Sequence, residues 1–125
     1  MSTDHIAVLK VREALLVTVP SDPEDATVAA LQEQVLRAME RHAGKGLVLD
    51  LSGVETVDSY FARTITETAQ MVGLMGGRTV LAGMRPSVAM TTVQLGLLFP
   101  NALTALDVDR ALDLLATPEP DGRRP

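Results

Sequence analysis

Cysteine is missing from this chain, so disulfides, thiolate metal sites and thiol nucleophiles are excluded together. Basic residues are in deficit: 11 Lys and Arg against 16 Asp and Glu leave a formal net charge of −5. That balance argues against nonspecific nucleic-acid binding, which needs a cationic face to neutralise phosphates. Aromatic residues are limited to Tyr60, Phe61 and Phe99, so any core must be built from Leu, Val, Ala and Met. No apolar run reaches the ~18 residues of a membrane span. The nearest stretch, 71–84, is interrupted by Gly76, Gly77, Arg78 and Thr79. The first ten residues have neither the basic start nor the apolar stretch of a signal peptide, so a cytoplasmic protein with no membrane partner is expected. The only histidines, His5 and His42, stand alone, which is poor material for a zinc site.

What is present is 46 % apolar residues over a length of 125, enough for one packed domain. Ile6–Val11 and Leu15–Val19 are short β-branched runs on either side of Arg12 and Glu13, which predicts an antiparallel strand pair. Asp22 and Pro23 offer a cap and a first turn to a helix whose apolar face is Val28, Leu31, Val35 and Met39, with Gly44 and Gly46 as its stop. The run Gly46–Leu51 reads as a strand buried on both faces. After it, Asp58 can cap a second helix with a stripe of Ala62, Ile65, Ala69 and Val72, ended by Gly76 and Gly77. Arg78–Ala82 is the next strand, and Pro86 opens a third helix that runs through Val88, Ala89, Thr92, Val93 and Leu95 to a stop at Gly96. A weak strand at Ala102–Ala105 and a last helix capped by Asp107 and packed through Leu112 and Leu115 complete the pattern. Strands alternating with helices predict an α/β fold: a mixed, mostly parallel sheet with an antiparallel first pair and about four helices. One domain is expected over residues 1–116, followed by a disordered tail over 117–125 that is rich in proline and charge.

In such sheets function gathers at the loops leaving the carboxyl ends of the strands, here 52–58 and 83–86. Neither carries a Gly-rich phosphate cradle, so no nucleotide or other cofactor is expected. Asp50, Glu55 and Asp58 are the acids close together at this edge, and they suit either a divalent cation or the acidic pocket of a phospho-accepting receiver. The receiver reading also needs a lysine on a late strand, whereas the chain's lysines are Lys10 and Lys45. Capping by Asp58 and solvation of Glu55 account for these acids more simply, and no metal site is expected. No Ser-His-Asp set can be drawn with either histidine. Ser59 remains, at the first turn of the helix that Asp58 caps, where a phosphate would meet free N–H groups and the positive helix end. Position alone does not single it out, because serine is common at helix starts.

The segment Leu47–Val54, followed by Val57-Asp58-Ser59-Tyr60, resembles STAS domains, the fold of anti-sigma-factor antagonists. The stretch Leu74–Ala89, with its Gly83-Met84-Arg85-Pro86 loop, and Leu95-Gly96 are similar to the stressosome branch of that family, most of all its short RsbS-type scaffold proteins. The likeness runs over roughly residues 5–116. It implies a STAS fold and a protein that is not an enzyme but a phospho-switch in a bacterial stress-response pathway.

The resemblance implies that Ser59 is phosphorylated by a partner serine/threonine kinase of the anti-sigma type, which is sequestered until then, and that a serine phosphatase resets it. It also implies longer STAS co-scaffold proteins as partners in a large oligomeric assembly. Thr91, with adjacent Thr92, approximates a second phosphorylated position of the co-scaffold proteins. Asp58, Tyr60, Arg63 and Arg85 are the expected partner-binding residues: Tyr60 as an aromatic anchor, and the two arginines within reach of a phosphate or on the solvated surface. Rival readings are a simple antagonist that binds an anti-sigma kinase directly, the STAS subunit of a transporter, and a small metal-dependent hydrolase built on Asp50 and Asp58.

Overall fold

The computed structural model describes residues 6–42 and 45–117. Its elements follow the order β1 (Val8–Val11), β2 (Ala14–Thr18), α1 (Asp25–His42), β3 (Gly46–Asp50), α2 (Ser59–Leu74), β4 (Arg78–Ala82), α3 (Pro86–Gln94), β5 (Ala102–Ala105) and α4 (Val108–Ala116). The five strands form one sheet in sequence order, β1 antiparallel to β2 and every later pairing parallel. This is the architecture expected from the sequence. A turn at Arg12 and Glu13 joins the antiparallel pair, with Arg12 in the left-handed region at φ 57°.

Parallel neighbours need crossovers, and crossovers are right-handed. Because the strand order advances in one direction, α1 and α2 fall on the same face of the sheet. There Leu31, Val35, Phe61, Ile65 and Val72 close over Leu15, Val17, Leu47, Leu49 and Leu81. The chain then turns after the edge strand, and α4 covers the opposite face with Ala111, Leu112 and Leu115 against Ala14, Val48, Val80 and Ala82. Alternate residues of β3 therefore enter different cores, which explains its unbroken apolar run.

Local signals explain most boundaries. Helix α2 ends in a Schellman motif: Gly76, at φ 96°, donates to Gly73 O at 3.1 Å, and Gly77 donates to Val72 O at 2.9 Å. Gly96, at φ 70°, closes α3 in the same way, with Leu97 N donating to Thr92 O at 2.9 Å. Asp107 caps α4 by accepting from Arg110 N at 2.9 Å. The other end of α4 is tied down by Arg78, whose guanidinium donates to the carbonyls of Leu115 (3.1 Å) and Thr117 (2.7 Å).

One expectation is corrected. Asp22 does not cap α1; the helix starts at Asp25, and the Asp22 carboxylate accepts from Thr56 Oγ1 at 2.9 Å instead. A long-range partner thus outcompetes the local cap, and Pro23 lies in the connection before the helix. In α3 only Val88 and Thr92 are buried; Val93, 75 % exposed, and Leu95 project into solvent. A nine-residue helix at the rim of a sheet has room for one narrow buried stripe, here an i, i+4 pair. His5, Gly44 and the tail after Thr117 lie outside the described residues.

Candidate functional site

Strands β3 and β4 are adjacent and parallel, so the loops leaving their carboxyl ends meet. The β3–α2 loop is held at several points. Leu51 N donates to Ala82 O at 2.8 Å, and the buried side chains of Leu51 and Val54 anchor the loop in the α1/α2 core. Glu55 N donates to Ser21 O at 2.8 Å, and Thr56 reaches Asp22 as above, so the loop is also stitched to the segment after β2. From the other side, Arg85 Nε donates to Ser52 O at 2.8 Å, with its guanidinium 3.8 Å from the Glu55 carboxylate. Gly83 permits this approach. It sits at φ 75°, and a Cβ there would come within 3.2 Å of Ser52 Cβ.

On this frame Asp58 takes extended geometry and its Oδ1 accepts from Phe61 N at 2.8 Å, a side-chain N-cap. Ser59 is then the first residue of α2, and it is exposed. First-turn N–H groups have no intrahelical acceptor. The cap takes the one on Phe61, leaving those of Ser59 and Tyr60 beside the serine hydroxyl. Phe61 plunges into the core and packs edge-on against Phe99, ring centroids 6.4 Å apart, while Tyr60 stays half-buried. Arg63, one turn further on, lies over the Tyr60 ring at 5.6 Å from its centroid.

The structure thus brings Asp58, Ser59, Tyr60 and Arg63 together on one helix start, with Arg85 bracing the loop that leads there. The acids do not converge. Asp50 accepts from Ser52 N at 3.0 Å, Glu55 faces Arg85, and Asp58 caps α2. Among the described residues no three acidic or histidine side chains are grouped to hold a metal ion. Thr91 is exposed and donates to Ser87 O, whereas Thr92 is 7 % exposed and its hydroxyl donates to Val88 O at 2.8 Å. Of the two threonines, the folded chain presents Thr91.

Sequence reasoning did not single out the exposed apolar residues on and after α3. Met90 and Val93 on α3, with Leu95 and Leu98 after it, are all exposed.

The sequence signature of the STAS domain matches residues 5–111. The chain belongs to the STAS-domain family. Among its relatives, this STAS domain is 31 % identical over 102 residues to the RsbT co-antagonist protein RsbRB of Bacillus subtilis (strain 168), covering 82 % of this chain and 37 % of that protein. It therefore spans little more than a third of that relative's length. In three dimensions it matches a serine-to-glutamate variant of Moorella thermoacetica RsbS, with TM-score 0.76 and 33 % identity over 89 % of this chain and 94 % of that one. A chain from the molecular architecture of the stressosome superposes with TM-score 0.75 and 35 % identity, covering 88 % of this STAS domain and 96 % of the other. The relatives are anti-sigma-antagonist and stressosome STAS proteins. No helix among the described residues is long and apolar enough to cross a membrane.

Proposed function

We propose that this STAS domain is a non-catalytic phospho-switch scaffold of a bacterial partner-switching pathway, and that Ser59 is its phosphoacceptor. The observation that carries this reading is an exposed serine hydroxyl at the first turn of a capped helix, on a loop braced from three sides. A rigid, protruding acceptor suits a kinase that must align the hydroxyl with its own bound ATP. The acceptor chain has only to present the oxygen; nucleotide, metal and base come from the partner.

The same geometry explains how a phosphate would act. The first-turn N–H groups and the helix dipole stabilise the added charge of about −1.5 to −2, so the modified state is tolerated by the fold. That charge would sit beside Asp58 and next to the half-buried Tyr60 ring. A partner docked there would have to desolvate it, and its grip weakens. Sequestration of a serine kinase before phosphorylation, release afterwards and resetting by a phosphatase follow as one cycle. Co-assembly with longer STAS proteins is supported by the co-antagonist and stressosome relatives. Cytoplasmic placement belongs to the same reading.

The test is direct. Incubation with its partner kinase and ATP should add one phosphate to the chain, and Ser59→Ala should remove it with no loss of folding. A phosphate mapped to another residue, or persistence of labelling in Ser59→Ala, would overturn the assignment.

A further inference from the structure

The two arginines of the candidate site are held in different ways. Arg85 is committed: its Nε donates to Ser52 O at 2.8 Å, and its guanidinium lies 3.8 Å from the Glu55 carboxylate. Drawing it away would unfasten the β3–α2 loop. Arg63 is exposed on α2 and makes no hydrogen bond or ion pair among the described residues. Its contact is the Tyr60 ring, whose centroid lies 5.6 Å from the guanidinium carbon.

Helix geometry gives Arg63 a second partner. Ser59 opens α2, so Arg63 stands four positions after it and three after Tyr60. Residues three and four apart share a helix face, with Cβ atoms about 5–6 Å apart, and side chains lean toward the helix N-terminus. Arg63 therefore leans over the turn that holds both residues. Rotation about its own side-chain bonds carries the guanidinium from one to the other, with the backbone still. The unmodified serine offers only a neutral hydroxyl, and the ring keeps the cation. A phosphate there offers about −1.5 to −2 charges and three acceptor oxygens. An exposed cation–π contact is weak, whereas a guanidinium takes a phosphate through two charge-assisted bonds. An acid four residues before a base is also the favoured order on a helix.

We propose that Arg63 takes up the phosphate of Ser59, and that it leaves the Tyr60 ring to do so. This deepens the reading of Ser59 as phosphoacceptor and rests on it. Transfer itself forms the bond from Ser59 Oγ to phosphorus and breaks the one from the γ-phosphorus of ATP to its bridging oxygen. ADP departs, and the hydroxyl proton goes to the kinase's base. Two features of the surface then change together. The phosphate is held by its own helix, through the first-turn N–H groups and Arg63, against repulsion from Asp58 beside it and Glu55 on the loop. The half-buried ring of Tyr60, the chain's only tyrosine, loses the cation that lay over it. A partner fitted to a cation over an aromatic ring meets an anion and an uncovered ring instead. Its grip is lost through rearrangement as well as through charge.

Magnetic resonance of the full chain, before and after phosphorylation by its partner kinase, tests the exchange in two ways. In the unmodified chain the Arg63 side-chain protons should be shifted upfield by the ring beneath them. One phosphate on Ser59 should return them to the values of a solvated arginine. In a phosphorus titration, Arg63→Gln should raise the second pKa of the phosphoserine by about 0.5, because a nearby cation favours the doubly ionised form. Asp58, Glu55 and the helix end act alike in both chains, so the difference belongs to Arg63. Arg63 protons that stay shifted after phosphorylation overturn the proposal, as does a pKa indifferent to Arg63→Gln. A pKa raised by Arg85→Gln and not by Arg63→Gln assigns the phosphate to Arg85 and overturns it too. Should the kinase refuse Arg63→Gln, the wild-type proton shifts decide. A wild type that takes no phosphate at Ser59 sinks the acceptor assignment and this inference with it. A phosphate on Ser59 with Arg63 unmoved sinks the exchange alone.

Discussion

Helices α2 and α3 start from neighbouring strand ends, yet they are built in opposite ways. α2 has 16 residues, seven of them buried, a side-chain cap from Asp58 and a Schellman stop. α3 has nine residues, two of them buried, and its N-cap residue Arg85 makes no side-chain cap, because a guanidinium has no acceptor for the first-turn N–H groups; it donates across to the β3–α2 loop instead. The first helix is a fixed platform and the second a lightly held rim element with its apolar residues turned outward. Burial provides most of a helix's stability in a protein. The contrast therefore marks a firmly packed helix that carries the proposed acceptor Ser59 and a lightly packed one whose apolar residues are exposed.

Chemical denaturation of point variants can break that contrast, and the largest effect should come from the platform. Phe61→Ala removes a buried ring that packs on Phe99 and should cost about 3–5 kcal/mol. Val88→Ala, the matching deletion in α3, should cost about 1.6 kcal/mol, from two lost methyl groups at about 0.8 each. If the two losses were equal, α3 would be as firmly packed as α2. Asp58→Ala should cost ~1 kcal/mol through the lost cap and slow phosphoryl transfer to Ser59 by loosening the first turn; an unchanged labelling rate would separate the cap from the switch. Met90→Ser should move stability by no more than about 0.5 kcal/mol, as for an exposed site. In a pull-down it should still weaken partner binding if the outward face of α3 is a contact surface.

Much of this was legible beforehand because it is local. Val28, Leu31, Val35 and Met39 recur at helical spacing and are all buried. Asp58 and Asp107 cap where their sequence positions said they would, and β4 and β5 have the boundaries read from the chain. Asp22 failed because capping competes with every other donor within reach, and Thr56, 34 positions away, is invisible in sequence. Apolar character alone does not decide burial either: Val93 and Leu95 are exposed although both are apolar. Arg78 as the clasp on α4 and Arg85 as the brace of the β3–α2 loop gave no sequence signal, since an arginine's partners are set by the fold.

The sequence by itself determined the elements, their order, the place of Ser59 at a helix start and, through its motifs, the family. Those follow from periodicity, capping and turn chemistry, which act within a few residues. Only the tertiary structure decided that the two loops brace one another and that Thr92 is closed while Thr91 is open. Each depends on what lies beside a residue in space, and that is settled by the packing of strands and helices distant in the chain.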